Sequence, residues 1–173
     1  GSRIVTIADN PHGSPFYVAQ IWSREGDWNC QLVAPGVVSD STVAFNQKKR
    51  YVCLSLGDRV GIYGFDGQPT GSLSGPFGTA FRSLAISPDG ERVAASFSDG
   101  TVRIWSESLK RHTANFVTRP DSLVIFSADG RRLLAATPEG PINQYAVHID
   151  DLFRAAAARV DRAFTEDEIT RYA

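Results

Sequence analysis

Four aromatic residues recur along this chain at a nearly constant interval. They are Trp22, Tyr63, Trp105 and Tyr145, separated by 41, 42 and 40 residues. Each of them closes a short apolar stretch, such as Val102-Arg103-Ile104-Trp105. A fixed period of roughly 40 residues that holds several short strands is typical of a radial array of small β-sheets.

The turns between the predicted strands repeat with the same period. Ser87-Pro88-Asp89-Gly90 and Ser127-Ala128-Asp129-Gly130 lie 40 residues apart, and each pairs an Asp with a Gly that accepts a positive φ. The dipeptide Asp99-Gly100 is a further hairpin signal. Four antiparallel strands are therefore predicted for the best-formed unit, at 83–87, 92–97, 101–105 and 113–117.

These units resemble the repeat of the WD40 β-propeller family. The resemblance extends over four stretches, 83–106, 122–145, 42–64 and 3–34. The sequence departs from the family pattern because the Trp-Asp dipeptide is Trp105-Ser106 here and the Gly-His pair before the first strand is absent. The resemblance implies an all-β fold, a WD40-like β-propeller segment of about three and a half to four four-stranded blades with a C-terminal helical cap. The structural repeat positions are Trp22, Tyr63, Asp99, Trp105 and Tyr145.

Counting the predicted strands divides the chain into blades and a tail. The predicted units are a partial blade at 3–37, a degenerate blade at 38–78, the best-formed blade at 79–119, an incomplete final blade at 120–148 and a helical tail at 149–173. The first unit lacks its inner strand, and the last unit lacks its outer strand. If the last unit of one copy paired its strands with the first unit of another copy, three strands plus three strands would not make a four-stranded blade. We therefore expect about half of a propeller of seven or eight blades, with the remainder on an upstream segment or a separate chain.

The sequence after Tyr145 changes from strand to helix patterning. One apolar face of a predicted helix is formed by Ile149, Leu152, Phe153, Ala156 and Val160. A second short helix is expected from the capping box Thr165-Glu166-Asp167-Glu168. Two roles are open for this tail: a structural plug that closes the propeller, or a docking element.

The tail carries a second resemblance. The stretch from Leu152 to Tyr172 is similar to the ending of WD-repeat regions in large bacterial signalling proteins, where a propeller follows a STAND-type NTPase or a protein-kinase domain. This resemblance implies that the chain is the C-terminal, cytoplasmic sensor region of such a protein. An attached effector domain or another protein is then the expected partner.

Composition excludes several classes of function. The 18 basic residues balance 19 acidic ones, so no nucleic acid is expected as a partner. No stretch approaches the roughly 20 apolar residues of a membrane span, and no membrane association is predicted. His12, His112 and His148 are isolated from one another and from Cys30 and Cys53, so neither a metal site nor a cofactor is predicted. The two cysteines are expected to be buried thiols, and a disulfide between neighbouring blades is the alternative.

No catalytic residue is predicted. Asp89, Asp99 and Asp129 recur with the turns, and side-chain bonds to their own backbone explain them without catalysis. The serines have no recognisable partner base, and no nucleophile motif is present. The basic run Lys48-Lys49-Arg50 is interpreted as a solvated turn, with a phosphate-binding patch as the alternative.

We therefore predict a non-enzymatic protein-recognition or scaffold module. Loops from several blades converge on one rim, where aromatic and Arg side chains suit an interface. The candidate partner-binding residues are Phe77, Phe81, Arg82, Arg119 and Asp121. Two alternatives are an autoinhibitory half-propeller packed on an effector domain and a small-molecule-binding or catalytic propeller.

Overall fold

The described part of the chain is mostly antiparallel β-sheet. The computed structural model describes residues 3–9, 17–23, 28–32, 42–46, 48–56, 59–106, 111–137 and 139–158. Within these residues lie fourteen strands and one helix, and the strands form four sheets of three, four, four and three strands in chain order. The predicted fold class, a propeller-like stack of small sheets with a C-terminal helix, is confirmed.

Each sheet is a meander in which consecutive strands pair. Sheet 1 contains β1 (Arg3–Asp9), β2 (Tyr17–Ser23) and β3 (Trp28–Leu32). Sheet 2 contains β4 (Val43–Asn46), β5 (Tyr51–Leu56), β6 (Arg59–Gly64) and β7 (Pro69–Ser74). Sheet 3 contains β8 (Phe81–Ile86), β9 (Arg92–Phe97), β10 (Thr101–Ser106) and β11 (Arg111–Val117). Sheet 4 contains β12 (Leu123–Phe126), β13 (Arg132–Ala136) and β14 (Asn143–Ala146).

The central sheets are buried on both faces because their strands carry apolar residues at odd and even positions alike. Successive side chains of a strand point to opposite faces. In β9, Val93 and Ala95 pack against sheet 2, whereas Ala94 packs against sheet 4. In β5, Val52 packs against sheet 1 and Cys53 against sheet 3. We call the face toward the preceding sheet the rear face and the face toward the following sheet the forward face.

The sheets are held together by three apolar clusters, one at each junction. Sheets 1 and 2 meet around Ile21, sheets 2 and 3 around Phe97, and sheets 3 and 4 around Leu133, and all three side chains are completely buried. Burying a side chain of this size contributes about 1.5–3 kcal/mol. Packing between successive sheets is therefore the main source of stability beyond the hydrogen bonds within each sheet.

Two of the four repeating aromatic residues pack between sheets 2, 3 and 4. Trp105 in β10 is 2% exposed, and its ring centroid lies 6.4 Å from that of Phe97 in an edge-on arrangement. Tyr145 in β14 stacks on Phe116 of sheet 3 at 4.2 Å. In sheets 3 and 4 the repeat period thus marks the strand whose aromatic side chain packs on the preceding sheet.

The other two repeating aromatics lie in the strand before the last one of sheets 1 and 2, Trp22 in β2 and Tyr63 in β6. Tyr63 packs against the cluster between these sheets, and its burial raises the pKa of the phenol, an effect that nearby Arg59 partly offsets. Trp22 donates a hydrogen bond from Nε1 to Thr6 Oγ1 at 2.9 Å. Both side chains are half-buried.

The Ser-x-Asp-Gly turns have the same hydrogen bonds in sheets 3 and 4. Ser87 Oγ donates to Asp89 Oδ1 at 2.5 Å and accepts from the Arg92 N–H at 2.9 Å. Ser127 and Asp129 make the equivalent bond at 2.5 Å. Partial burial opposes ionisation of Asp89, but its hydrogen bonds outweigh this and lower its pKa, and the Ser127 hydroxyl likewise lowers the pKa of Asp129. The turns therefore account for these carboxylates, as predicted.

The basic run at 48–50 forms the corresponding turn of sheet 2. Lys49 N–H donates to Asn46 Oδ1 at 3.0 Å, and the Lys49 ammonium lies 2.6 Å from Glu91 in the next turn. Arg50 has a φ of 57°, whereas in the turns of sheets 3 and 4 the positive φ lies one residue earlier, at Gly90 (76°) and Gly130 (70°). The prediction of a solvated turn is consistent with the exposure of all three basic residues.

One helix, α1 (Ile149–Ala157), follows the last strand. Asp151 in its first turn pairs with Arg131, and Arg154 approaches the same carboxylate at 3.4 Å. Leu152 and Phe153 remain exposed, so the described part of the tail is attached by polar contacts. Val160 and the predicted second helix from Thr165 lie outside the described residues.

Candidate functional site

Two loops between sheets and two hairpin loops within sheets lie at one end of the molecule because each sheet is a meander. The connections β7–β8, β9–β10, β11–β12 and β13–β14 all leave the strands at the same end. We call this surface the upper rim and define it as residues 75–82, 98–100, 118–122 and 139–142. Four of the five predicted partner-binding residues, Phe77, Arg82, Arg119 and Asp121, lie on its exposed surface.

Backbone hydrogen bonds join neighbouring loops of the upper rim. The Ser98 N–H donates to the Ala80 carbonyl at 2.9 Å, and the Thr118 N–H donates to the Gly100 carbonyl at 2.7 Å. Gly100 has a φ of 84°, and a Cβ there would lie 2.6 Å from the Thr118 carbonyl oxygen. Glycine is required at this position because both the backbone conformation and the close approach exclude a side chain.

A buried serine anchors the loop that leads into sheet 4. Ser122 is 3% exposed, and its carbonyl accepts a hydrogen bond from Ser96 Oγ at 2.5 Å. Its own hydroxyl donates to the Arg119 carbonyl at 2.7 Å. These bonds hold the backbone of the 118–122 loop while the Arg119 side chain stays exposed. The predictions from sequence missed Ser122, whose only signal is its position at the start of a strand.

Arg82 and Asp121 form an ion pair across the junction of sheets 3 and 4. Arg82 Nε lies 2.5 Å from Asp121 Oδ1, and both side chains are about half exposed. Asp121 has a φ of 59°, a conformation that Asp tolerates better than most residues. An exposed pair of this kind contributes little to stability. Its effect is to place one positive and one negative group side by side on the rim.

Phe77 is the most exposed large apolar residue among those described, with no loss of accessible area relative to an extended chain. Its loop is shaped by Gly78, which has a φ of 76°, and by a 2.9 Å hydrogen bond from Thr79 Oγ1 to the Pro76 carbonyl. The turn therefore directs an aromatic ring away from the sheets. No described contact within the chain stabilises this placement.

The predicted loop positions of Phe81 and Arg82 are wrong, because both residues lie in β8, although the Arg82 side chain is exposed. Phe81 is the first residue of β8, is 9% exposed, and packs against Phe97 with 4.7 Å between ring centroids. A register shift between Phe81 and Ser83 brings the ring onto the rear face together with Leu84 and Ile86. The irregularity breaks simple alternation, which is why the strand was predicted to begin at Ser83.

The described residues form no cluster of metal-ligand side chains. Among them, no three His, Cys, Asp or Glu side chains cluster in a way that could hold a metal ion. His148 Nε2 lies 3.1 Å from Arg92 Nη1 where β14 meets α1, far along the sheet from the upper rim. His12 and the side chains of His112 and Cys30 lie outside the described residues, and Cys53 is completely buried. Within the described residues no helix is long and apolar enough to cross a bilayer.

Small antiparallel sheets that stack face to face, with their loops joined at one end, are typical of β-propeller-like repeat proteins. Residues 67–106 match the WD40 family, described as WD domain, G-beta repeat. The match runs from β7 through β10, so one sequence repeat joins the outer strand of sheet 2 to the first three strands of sheet 3. Repeats of this family generally form non-enzymatic scaffolds for protein–protein contacts. No curated protein matches the chain.

Proposed function

We propose that the upper rim is a protein-recognition surface and that the chain is a non-enzymatic scaffold module. The observation that carries this proposal is the fully exposed Phe77 ring on a loop of that rim. Burying a Phe side chain contributes about 1.5–3 kcal/mol. A ring that the chain itself leaves in water can make this contribution to the binding of a partner.

The charges on the upper rim indicate the chemistry of the partner. Arg119 is exposed on the same rim, and Arg82 is already neutralised by Asp121. An apolar anchor and a guanidinium on the same rim suit a peptide that carries an apolar residue and a carboxylate. The rigid sheets beneath the loops reduce the entropy that binding would otherwise cost.

A displayed random-peptide library selected on the purified chain tests this proposal. We expect enrichment of sequences that combine an apolar residue with Asp or Glu. Phe77→Ala and Arg119→Ala should each weaken binding of a selected peptide by at least about tenfold, which corresponds to 1.4 kcal/mol. Phe153→Ala is the matched control, because Phe153 is an exposed Phe on α1.

Binding that survives both rim substitutions, or that falls equally with Phe153→Ala, would contradict a recognition surface at the upper rim. Thermal melting of each variant shows whether the fold is intact. Phe81 is not suitable for this test, because its ring is part of the core between sheets 2 and 3. Substitution of Phe81 would reduce stability and binding together.

We further propose a setting for this module: the C-terminal, cytoplasmic sensor region of a larger bacterial signalling protein. The resemblance of the 152–172 tail to proteins with a STAND-type NTPase or kinase domain supports this setting. The remainder of the propeller and an effector domain would then be the partners of the chain. The coding sequence upstream of Arg3 is the test, since an unrelated upstream region would contradict the proposal.

A further inference from the structure

The forward face of sheet 4 is apolar and uncovered. Leu123, Ile125 and Ile142 are 59%, 63% and 67% exposed, and with Leu134 and Ala136 they line an open groove of about 380 Å³. The corresponding positions of sheet 3 are buried under sheet 4, with exposures of 8%, 0% and 0% at Ala85, Ala94 and Val102. In sheets 2 and 3 this face is the one on which the following sheet packs.

The rear face of sheet 1 is uncovered as well. Ile4 pairs with Trp22 across β1 and β2, and Thr6 pairs with Gln20, so these four side chains share one face. Val5 and Ile7 point the other way and pack on sheet 2. Ile4 is 56% exposed, and Trp22 is only half-buried.

Trp22 occupies the repeat position of Trp105. Trp105 is 2% exposed because sheet 2 covers its face, and Tyr145 stacks in the same way on Phe116 of sheet 3. Trp22 Nε1 already donates a hydrogen bond to Thr6, so covering this ring would not leave a buried donor without an acceptor. The rear face of sheet 1 therefore resembles the rear faces of sheets 3 and 4, each of which packs on the preceding sheet.

We propose that a second copy of this chain supplies the missing neighbour, with the rear face of its sheet 1 on the forward face of sheet 4. Each of the three sheet junctions within the chain joins a forward face to a rear face. The two uncovered faces are one of each kind, so two copies can satisfy both faces twice around a twofold axis. The product has eight sheets, within the range of about four to eight blades found in closed propellers.

Face-to-face packing of two sheets does not require their strands to combine into one four-stranded sheet. Three strands of one copy and three of another do not combine into a four-stranded sheet, but they can pack face to face without sharing hydrogen bonds. Arg132 and Gln144, which are hydrogen-bonded to each other at 3.2 Å, lie exposed on the strands next to the groove. They supply a polar border to the apolar surface.

This inference rests on the proposed completion of the propeller, and it names the source of the remaining blades. It does not depend on peptide binding at the upper rim, which has a separate readout. Light scattering of the purified chain across a concentration series should give twice the 18.8 kDa mass of one chain. A monomer at every concentration would overturn the inference.

Two single-face variants test the arrangement of the copies. Ile125→Glu damages only the forward face and Ile4→Glu only the rear face, and each should yield a monomer. A mixture of the two variants should regain a dimer, because one intact forward face can meet one intact rear face. Val117→Glu is the control, since Val117 is 75% exposed on β11, outside both faces, and should leave the dimer unchanged.

The variants also separate this inference from its alternatives. A dimer that Ile125→Glu breaks and Ile4→Glu preserves would mean that two forward faces meet, which would overturn the proposed packing. A dimer that survives both substitutions would overturn it too. The chain could instead be a monomer whose forward face binds an apolar dye, with dye binding lost in the Ile125→Glu variant. This result would overturn the second-copy inference, while completion of the propeller by another segment would stand. A monomer that binds no dye would remove both.

Discussion

At the scale of single residues, two of the described residues other than glycine, Arg50 and Asp121, have a positive φ, which Arg tolerates less well than Asp. A φ of 57° is disfavoured for residues with a side chain, and in the turns of sheets 3 and 4 the residue with a positive φ is a glycine, Gly90 or Gly130. The Arg50 carbonyl accepts a hydrogen bond from the Phe65 N–H at 3.1 Å, so the turn is held from outside. The repeat is therefore maintained here by hydrogen bonding at some conformational cost.

Replacing Arg50 with Gly should stabilise the protein by about 0.5–1 kcal/mol, because Gly removes the steric cost of the left-handed conformation. Gly130→Ala should do the opposite and destabilise by about 1 kcal/mol, since the nearest atom leaves room for a Cβ but the φ of 70° remains. Chemical denaturation measures both. If Arg50→Gly and Gly130→Ala changed the free energy of unfolding in the same direction and by the same amount, backbone strain would not determine the stability of these turns.

Trp105 is the residue whose loss should be most costly. Because its ring is 2% exposed between sheets 2 and 3, Trp105→Ala should lower the free energy of unfolding by about 3–5 kcal/mol. Arg119→Ala, on an exposed loop, should change it by no more than about 0.5 kcal/mol. Urea denaturation curves test the pair. A small effect at Trp105 would mean that the register of sheet 3 is wrong.

At the scale of elements, α1 is attached to sheet 4 mainly through Asp151 and Arg131. The hydrogen bond and positive charge of Arg131 lower the pKa of Asp151, and Asp151 in turn raises the pKa of Arg131. The carboxylate is thus more acidic in the folded protein than in the unfolded chain. Its contribution to stability is complete above the unfolded pKa of about 3.9 and is lost as the pH falls through the lower folded pKa.

Asp151→Asn should therefore lower the melting temperature at neutral pH, and the difference from the wild type should shrink below about pH 4. Arg131→Gln should remove most of this pH-dependent difference, because the same pair is broken from the other side. Thermal melts of the two single variants and the double variant form a cycle that isolates the pair. A difference that persists unchanged in acid would assign the effect of Asp151 to the helix alone.

The elements were largely predictable because their signals are local. Asp99 illustrates this: its carboxylate accepts the Thr101 N–H at 2.8 Å, and this contact two residues along the chain specifies the hairpin. The start of β8 was not predictable, because the shift between Phe81 and Ser83 follows from packing on Phe97 in another strand. The unit boundaries at 37, 78, 119 and 148 stay predictions, as does the partner-binding role of the rim residues.

At the scale of the whole molecule, the sheets in the middle of the stack and those at its ends differ in what covers them. All six residues of β5 are buried, whereas Leu123 and Ile125 of β12 are exposed although they are equally apolar. Uncovered apolar faces of this size mark interaction sites or lead to aggregation. The assembly state of the chain is therefore the property that most affects its behaviour in solution.

The sequence alone determined the repeat, the strands and the turns, because hydrophobic alternation and Gly-containing turns act within a few residues. It also predicted structural roles for the repeating aromatics, of which Tyr63, Trp105 and Tyr145 pack between sheets. The tertiary structure decided which face of each sheet is buried, and it showed Phe77 exposed and Phe81 in the core. These properties depend on contacts between sheets some 40 residues apart, such as the Tyr51 hydroxyl on the Gly90 carbonyl at 3.1 Å, and no local pattern encodes them.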